Sequence, residues 1–182
     1  MKVLVPISNG TEDMEAVIII DMFRRAGLDV TVAGDADIIT CAHGLRLVPD
    51  LSIDELDADD VFDAIVLPGG SHGVDHMIQN DTLTRLMAPH HAARRLIGAI
   101  CAAPMILHEY GFLKGDAAVT SHPGVASDLS VYQYSTDRVV EDGHIVTSRG
   151  AGTAFEFALI IIQRLVGDTV ATRVATDIVL YE

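Results

Sequence analysis

The sequence predicts an α/β protein in which helices cover both faces of a mainly parallel sheet. Short apolar runs rich in β-branched residues alternate along the chain with longer segments of helical period. The runs are apolar at nearly every position, which is typical of parallel strands that are buried on both faces. With 182 residues, 49% of them hydrophobic and 21% charged, the chain is expected to form one domain over residues 1–182.

The first half of the chain is predicted to contain buried strands, one long helix and a hairpin. Apolar residues at positions 14, 17, 18 and 22 indicate the helix, and Gly27 is of the residue type that ends helices. Ser52 and Glu55 form the pattern of a capping box, which predicts a short acidic helix. The other predicted elements, in order, are a strand at Lys2–Ile7, a helix from the loop at 8–11 to about Ala26, a strand at Asp29–Ala33, hairpin strands at Ile38–Cys41 and Leu45–Val48, and a strand at Ala64–Leu67.

The second half alternates in the same way and adds an antiparallel corner. Asp81 is predicted to cap a helix that runs to about Arg94. Residues 141–143 form a hairpin turn signal between two apolar runs. The remaining predicted elements are a strand at Leu96–Ile100, a helix from about Pro104 to Tyr110, a short strand at Ala118–Thr120, hairpin strands at Arg138–Val140 and His144–Ser148, and helices from about Thr153 to Val166 and from Thr169.

One cysteine stands where a buried strand ends. The apolar run that closes at Ile100 is followed by Cys101, two alanines and Pro104, which opens a helix. Because a helix N-terminus favours thiolate over thiol, the sequence predicts a pKa of Cys101 below that of a free cysteine. Packing in the core is the alternative, but a core cysteine usually stands inside the apolar run. Cys101 is therefore the predicted nucleophilic or redox-active residue.

Residues that could serve Cys101 lie in other loops at strand ends. Glu15 lies among apolar neighbours in the first turns of the first helix, and burial would raise its pKa and make it a proton donor and acceptor. The alternative for Glu15 is a solvated acid. His122 follows the strand predicted at Ala118–Thr120 and could also serve Cys101; the alternative is a polar loop residue. Gly69 and Gly70 follow a strand and could offer backbone N–H groups to a developing oxyanion.

A serine nucleophile competes with the cysteine. Residues 69–73 match the G-x-S-x-G elbow of serine hydrolases, with Ser71 at the centre. Pro68 and the doubled glycine, however, indicate an open loop rather than a tight strand-to-helix turn. Ser71 is therefore not the predicted nucleophile.

No cofactor and no metal site is predicted. His72, His76, His90 and His91 lack a carboxylate or cysteine that would complete a ligand set, so they are interpreted as solvated surface residues. The segment 150–155 lacks the third glycine of a dinucleotide fingerprint and is interpreted as a tight turn before a helix. Cys41 is interpreted as a packing residue.

Charge and composition exclude several classes of partner. A net charge of −14 repels nucleic acid and anionic lipid, so direct binding to either is not expected. No apolar stretch reaches the length of a membrane span, and the first six residues are too short for a signal peptide. Two cysteines are too few for a disulfide framework. These features predict a cytoplasmic protein.

Taken together, the candidate residues resemble the ThiJ/PfpI superfamily. The likeness is carried by Glu15, the loop Val66–Gly70, the segment Ala99–Pro104 and the pair His122-Pro123. It runs nearly end to end and includes segments 21–27 and 147–157. More narrowly, the chain resembles the branch that contains the human parkinsonism-associated deglycase and the bacterial YajL proteins.

This resemblance implies a flavodoxin-like three-layer sandwich and a homodimer whose interface includes the first helix. It makes Cys101 the nucleophile, Glu15 its protonated hydrogen-bond partner and His122 an assisting residue, while Gly70 and Ala102 supply backbone donors. The implied activity is cofactor-free conversion of methylglyoxal or glyoxal to hydroxy acids, or repair of early glycation adducts on proteins or nucleotides. Such an activity would protect against carbonyl and oxidative stress. A peptidase dyad is not expected, because Ala102 stands where the superfamily's peptidases have histidine.

A binding function remains as the alternative to the enzyme. A redox-sensing, chaperone-like holdase would use Cys101 as an oxidisable thiol rather than as a nucleophile. Turnover without an added cofactor distinguishes the two functions.

Overall fold

The computed structural model describes residues 1–57 and 59–180 and confirms the predicted fold class. The strands in chain order are β1 (Lys2–Ile7), β2 (Asp29–Gly34), β3 (Ile39–Thr40), β4 (Arg46–Leu47), β5 (Leu51–Ser52), β6 (Ala64–Leu67), β7 (Leu96–Ile100), β8 (Ala118–Val119), β9 (Gln133–Tyr134), β10 (Val139–Asp142) and β11 (Ile145–Ser148). The central sheet has the order β10-β11-β7-β6-β1-β2-β5 and is parallel except for β10.

Helices cover both faces of this sheet. They are α1 (Asp13–Arg25), α2 (Ser71–Ile78), α3 (Asp81–Ala92), α4 (Pro104–Glu109), α5 (Ala154–Val166) and α6 (Asp168–Asp177). The buried side chains of α1, α5 and α6 share one core, and those of α2, α3 and α4 share the other. In β1 the residues alternate between them, with Val3 and Val5 in the first core and Leu4 in the second. Burial on both faces explains why the strands are continuous apolar runs. Within the described residues, no helix is long and apolar enough to cross a membrane.

The sheet topology brings the loops at the carboxyl ends of the strands together. The chain runs outward from β1 to β2 on one side and from β6 through β7 to β11 on the other. The strand order therefore reverses between β1 and β6, and open α/β sheets bind ligands at such a point. The loop after β1 leads to Glu15, the loop after β6 contains the two glycines, and Cys101 directly follows β7.

The segment after β6 differs from the open loop that the sequence predicted. Helix α2 begins at Ser71, directly after Gly70, and the Val74 N–H donates to the Gly70 carbonyl oxygen at 2.9 Å. Gly70 has a φ of +92°, a conformation that L side chains rarely adopt, so this glycine makes the sharp turn possible.

Smaller differences concern strand pairing and helix ends. β8 lies outside the central sheet and pairs with β9, which the sequence did not predict. The N-cap of α3 is Asn80 rather than Asp81, since the Asn80 side chain accepts from the Leu83 N–H at 2.8 Å. Glu141 and Asp142 belong to β10 rather than to the turn. The capping box at Ser52 is confirmed, although it begins a single 3-10 turn and not an α-helix.

Helix α5 packs directly on the backbone of β7 at Gly98. A Cβ placed there would lie 2.6 Å from Ile161 Cδ1 and 2.9 Å from Phe157 Cζ. We expect Gly98→Ala to lower the free energy of unfolding in urea by about 1–3 kcal/mol, since a well-packed core resists added volume. Gly115→Ala is the matched control, because nothing lies within 4 Å of the corresponding Cβ. Equal stability of the two variants would contradict this packing.

Candidate active site

Cys101 lies on a strained elbow between β7 and α4. Its φ is +66°, a left-handed conformation that costs a non-glycine residue about 1–3 kcal/mol. The backbone on both sides holds it there, because the Cys101 N–H donates to the Ser148 carbonyl oxygen at 3.0 Å and its own carbonyl oxygen accepts from the His122 N–H at 2.8 Å. The residue is half-buried.

The carboxyl of Glu15 reaches the same place from α1. Glu15 is 0% exposed, which makes it the most enclosed acidic residue of the described chain. Its Oε2 accepts a hydrogen bond from the Gly69 N–H at 2.7 Å. Its Oε1 is buried and has no hydrogen-bond partner among the described residues. Because Oε2 already accepts a backbone N–H, a proton on Glu15 belongs on Oε1.

Gly150 forms the wall that the three candidate side chains share. A Cβ built at Gly150 would lie 4.0 Å from Cys101 Sγ, 3.9 Å from Glu15 Oε1 and 3.7 Å from His122 Cδ2. The unpartnered carboxyl oxygen, the sulfur and one edge of the imidazole therefore border one small space. The sequence had assigned this glycine only to a tight turn, and nothing in its local pattern indicates the neighbours that come from elsewhere in the chain.

The backbone N–H groups of Gly70 and Ala102 lie near enough to the Cys101 sulfur to lower the pKa of its thiol. These are the two donors that the resemblance implied. Gly69 differs from the expectation, since its N–H is committed to Glu15 Oε2 and is not free for an oxyanion. A Cβ on Gly69 would lie 2.5 Å from Cys101 Cβ and 2.8 Å from Glu15 Oε2. Only glycine allows the strand end, the carboxyl and the cysteine to approach this closely.

The acid and the thiol compete for one proton. Burial raises the pKa of Glu15 to about 7, although the hydrogen bond from Gly69 opposes this. Burial also raises the pKa of Cys101 to about 12; the charge of Glu15 adds to this rise and the donors Gly70 and Ala102 oppose it. The prediction that Cys101 titrates below a free cysteine is therefore wrong, because burial alone outweighs the backbone donors. An ionised Glu15 raises the pKa of the thiol further, so the thiolate is favoured when the proton resides on Glu15.

His122 occupies the rim of this space. Its Nδ1 accepts a hydrogen bond from the Gly124 N–H at 3.1 Å, so a neutral ring carries its proton on Nε2. The side chain is exposed, and its Cδ2 edge is the part that faces Gly150. His122 therefore lies between this space and the solvent.

The other candidates of the sequence lie elsewhere. Ser71 is exposed on the first turn of α2, and its hydroxyl has no hydrogen-bond partner among the residues described, so no base activates it. His72 and His76 are exposed, as predicted. The interpretation of His90 as a solvated residue is wrong: it is buried, and its Nε2 lies 2.9 Å from the Leu96 carbonyl oxygen at the start of β7.

Two further candidates of the sequence are Cys41 and a metal site. Cys41 packs in the core, in keeping with its interpretation as a packing residue, and burial raises its pKa to about 11. Across residues 1–57 and 59–180, no three His, Cys, Asp or Glu side chains are close enough to hold a metal ion.

The raised pKa of Glu15 predicts a pH-dependent stability. The pKa of Glu15 rises from an ordinary value of 4.5 to about 7 on folding, so the folded state binds the proton more tightly than the unfolded state does. Its contribution to stability is complete below the unfolded pKa and is lost as the pH rises through the folded pKa. This difference in pKa corresponds to about 3 kcal/mol in the free energy of unfolding. The Glu15→Gln variant carries no charge at any pH and should lack this loss.

Urea denaturation of the wild type and of Glu15→Gln at several pH values measures the effect. We expect the stability of the wild type relative to the variant to fall by about 3 kcal/mol from about pH 4.5 to about pH 8. Glu109→Gln, which changes an exposed carboxyl on α4, should parallel the wild type. A Glu15→Gln profile that also parallels the wild type would show that the carboxyl is not desolvated.

Fold and site together define a class of protein. It is a flavodoxin-like α/β protein with a cysteine on a strained strand-to-helix elbow and a buried carboxyl beside it. The sequence profile of the DJ-1/PfpI family matches residues 1–164, and the chain belongs to that family.

Known relatives match over nearly their full length. The Parkinson disease protein 7 homolog of Danio rerio is 38% identical over 184 residues, which cover 98% of this chain and 97% of the relative. The glutathione-independent glyoxalase DJR-1.2 of Caenorhabditis elegans is 36% identical over 159 residues, or 86% of this chain and 83% of the relative. The crystal structure of Drosophila melanogaster DJ-1beta is 38% identical and superposes with a TM-score of 0.94. The superposition covers 100% of this chain and 98% of the DJ-1beta chain.

Proposed function

We propose that this protein is a cofactor-independent, cysteine-dependent glyoxalase and deglycase that acts on methylglyoxal, glyoxal or early glycation adducts. The observation that carries the proposal is the juxtaposition of Cys101 Sγ and the unpartnered Glu15 Oε1 at the wall formed by Gly150. The nucleophile and the proton carrier of an aldehyde isomerisation need this proximity. A relative that is named a glutathione-independent glyoxalase supports the same chemistry.

The chemistry needs only groups of this chain and water. The thiolate adds to the aldehyde carbon of methylglyoxal, and the carbonyl oxygen becomes the oxyanion of a hemithioacetal. The N–H groups of Gly70 and Ala102 lie beside the sulfur and therefore beside that oxygen. Protonation of the oxyanion by Glu15 leaves a carboxylate, which is the base that the next step requires.

Glu15 then moves a proton between adjacent carbons. Its carboxylate removes the proton from the former aldehyde carbon, which gives an enediolate, and returns that proton to the neighbouring ketone carbon. The hydroxyl proton of the hemithioacetal passes to the ketone oxygen, so the ketone carbon becomes the hydroxyl-bearing one. The former aldehyde carbon becomes a thioester, so one carbon is oxidised while the other is reduced. Water hydrolyses the thioester, which releases lactate and returns the thiol.

Purified protein mixed with methylglyoxal tests this proposal. We expect lactate to accumulate without added glutathione, metal or nucleotide, and in excess of the protein present. A single equivalent of adduct on Cys101 with no lactate would contradict turnover. Protein carrying early adducts of methylglyoxal on lysine or arginine, supplied in place of the free aldehyde, tests the deglycase activity separately.

A redox-sensing holdase is the second candidate function, and the partial exposure of Cys101 favours it. A peroxide could oxidise the Cys101 thiol to a sulfinate in two successive two-electron steps, each of which reduces one peroxide, and the nearby N–H groups of Gly70 and Ala102 would hold the sulfinate oxygens. If oxidised protein suppresses the aggregation of an unfolded client while the reduced protein forms no lactate, the holdase function is the correct one.

We also propose a homodimer that forms through α1 and the β3–β4 hairpin. Met14 and Val17 on α1 are 54% and 41% exposed, and Val48 beside the hairpin is 75% exposed. Apolar side chains gathered on one face indicate a surface that a second copy covers. Light scattering should give twice the chain mass, and Val17→Asp should shift the protein toward monomer. A monomeric wild type would contradict the proposal.

A further inference from the structure

A second cavity, of about 390 Å³, lies at the opposite end of the sheet from Cys101. It borders the amino ends of β7 and β11, the end of α3 and the segment after α4. The strand β7 separates the two places by about 15 Å along the chain, so this cavity cannot belong to the cysteine site. Its charged, polar and aromatic lining residues are His91, Arg94, Phe112, Lys114, Asp116, Asp142 and His144.

Two imidazoles contact each other in this cavity. His91 Nδ1 and His144 Nε2 are 3.0 Å apart, so one ring donates a hydrogen bond to the other. The His91 ring also stacks on Phe112, with centroids 4.3 Å apart and planes 5° from parallel. The outer nitrogens, His91 Nε2 and His144 Nδ1, have no hydrogen-bond partner among the described residues and are available to a ligand.

Two cations without partners face the same cavity. The side chains of Arg94 and Lys114 make no ion pair and no hydrogen bond within residues 1–57 and 59–180, in a chain whose net charge is −14. The guanidinium of Arg94 extends over the β10–β11 turn, where a Cβ on Gly143 would lie 3.0 Å from Arg94 Nη2. Both cations lower the pKa of His91, after the larger effect of burial, which places them near its ring.

The backbone of Arg94 is strained. Its φ of +54° is left-handed, at the position after α3 where glycine is the usual residue. Its N–H donates to the His91 carbonyl oxygen at 2.9 Å, which completes the end of the helix. An arginine in a conformation that glycine would adopt without strain indicates that the arginine side chain has a function.

We propose that this cavity is a second ligand site, which binds a phosphate group through Arg94, Lys114 and the paired imidazoles of His91 and His144. Guanidinium, ammonium and imidazole N–H groups are the donors that hold phosphate oxygens. A divalent metal ion is disfavoured, because the two cations would repel it. Inorganic phosphate and a phosphate monoester share this chemistry, and the stacked His91–Phe112 pair offers a flat surface to the organic part of an ester.

Binding should be coupled to proton uptake. Burial lowers the pKa values of both histidines, and the cations Arg94 and Lys114 add to this at His91. At His144 the neighbours His91, Arg94 and His90 lower the pKa, while the carboxylate of Asp142 raises it. The Asp116 carboxylate also borders the cavity. An anion between these groups favours the protonated ring, so affinity should rise as the pH falls.

The test is a titration of the full chain with sodium phosphate and with sodium sulfate at constant ionic strength, followed by NMR of the histidine ring carbons. Sulfate keeps its charge between about pH 6 and pH 8, so a change in its affinity reports protonation of the protein rather than of the ligand. We expect saturable shifts of His91 and His144, with tighter binding at the lower pH. A phosphate monoester such as phenyl phosphate should bind more tightly than inorganic phosphate if its ring uses the stacked surface.

Variants separate a binding role from a structural one. Arg94→Gly relieves the strain of the left-handed backbone, so it should raise Tm. It also removes the guanidinium, so it should lower the affinity for phosphate about twofold to fivefold. Lys114→Gln should lower the affinity for phosphate to a similar degree. Arg46→Gln is the control: it removes one positive charge on β4, away from the cavity, and should leave the affinity for phosphate unchanged. Shifts that do not saturate, equal losses in the Arg46→Gln control, or saturation of the imidazoles by Zn²⁺ but by neither anion would overturn the proposal.

Discussion

Cys101→Ser is expected to abolish lactate formation from methylglyoxal while the protein remains folded. Serine differs from cysteine only in the smaller side-chain atom and keeps both backbone hydrogen bonds of the elbow, to Ser148 and from His122, so the elbow should survive. A serine hydroxyl is a far weaker nucleophile than a thiolate, and Glu15 is placed to stabilise a sulfur anion rather than to deprotonate an alcohol. Near-identical Tm values for the two proteins would show that the loss is chemical.

Ser71→Ala is the matched variant for the competing elbow. Ser71 is exposed on α2 and lacks a base, so its removal should leave lactate formation close to that of the wild type. Cys41→Ser controls for the other thiol, which packs in the core. If Ser71→Ala were inactive and Cys101→Ser active, the protein would be a serine hydrolase, and the proposed function would be wrong.

Glu15→Gln should lose about 10²–10⁴-fold in the rate of lactate formation, which is the range for removal of a general acid–base group. The amide can keep the contact of the carboxyl with Gly69 and can also donate to the sulfur. Its oxygen can accept from the Gly69 N–H, where Oε2 now does, and its NH₂ can donate to Cys101 Sγ. It cannot take a proton from one carbon and deliver it to the next, so the isomerisation step should fail.

The rate at which iodoacetamide alkylates Cys101 distinguishes the two roles of Glu15. Because the amide cannot ionise beside the sulfur, the variant loses the charge that raises the pKa of the thiol, and its alkylation near neutral pH should be at least as fast as that of the wild type. A parallel loss of alkylation and of lactate would mean that Glu15 tunes the thiol rather than moving protons. Unchanged lactate formation would remove Glu15 from the mechanism. Glu109→Gln, at the exposed end of α4, should change neither rate.

Local sequence patterns predicted the elements whose signals lie within a few residues. The apolar run of β1, the glycine that ends α1 and the capping box at Ser52 were each confirmed. The place of Cys101 at the end of β7 was predicted in the same way, because a strand end and a helix start are both local features. The errors at Ser71 and Asn80 are local as well: a glycine with positive φ turned the chain directly into α2, and an asparagine one residue earlier capped α3.

What only the tertiary structure decided is burial, and burial depends on residues far apart in the chain. Glu15 bonds to Gly69, 54 residues away, and the space that it shares with Cys101 is closed by Gly150. No pattern around Glu15 distinguishes a solvated acid from one that is fully enclosed. The direction of the Cys101 pKa was mispredicted for this reason, because desolvation and a neighbouring carboxyl outweigh the nearby backbone donors. The sequence alone determined which residues could react, whereas packing between distant segments determined their protonation.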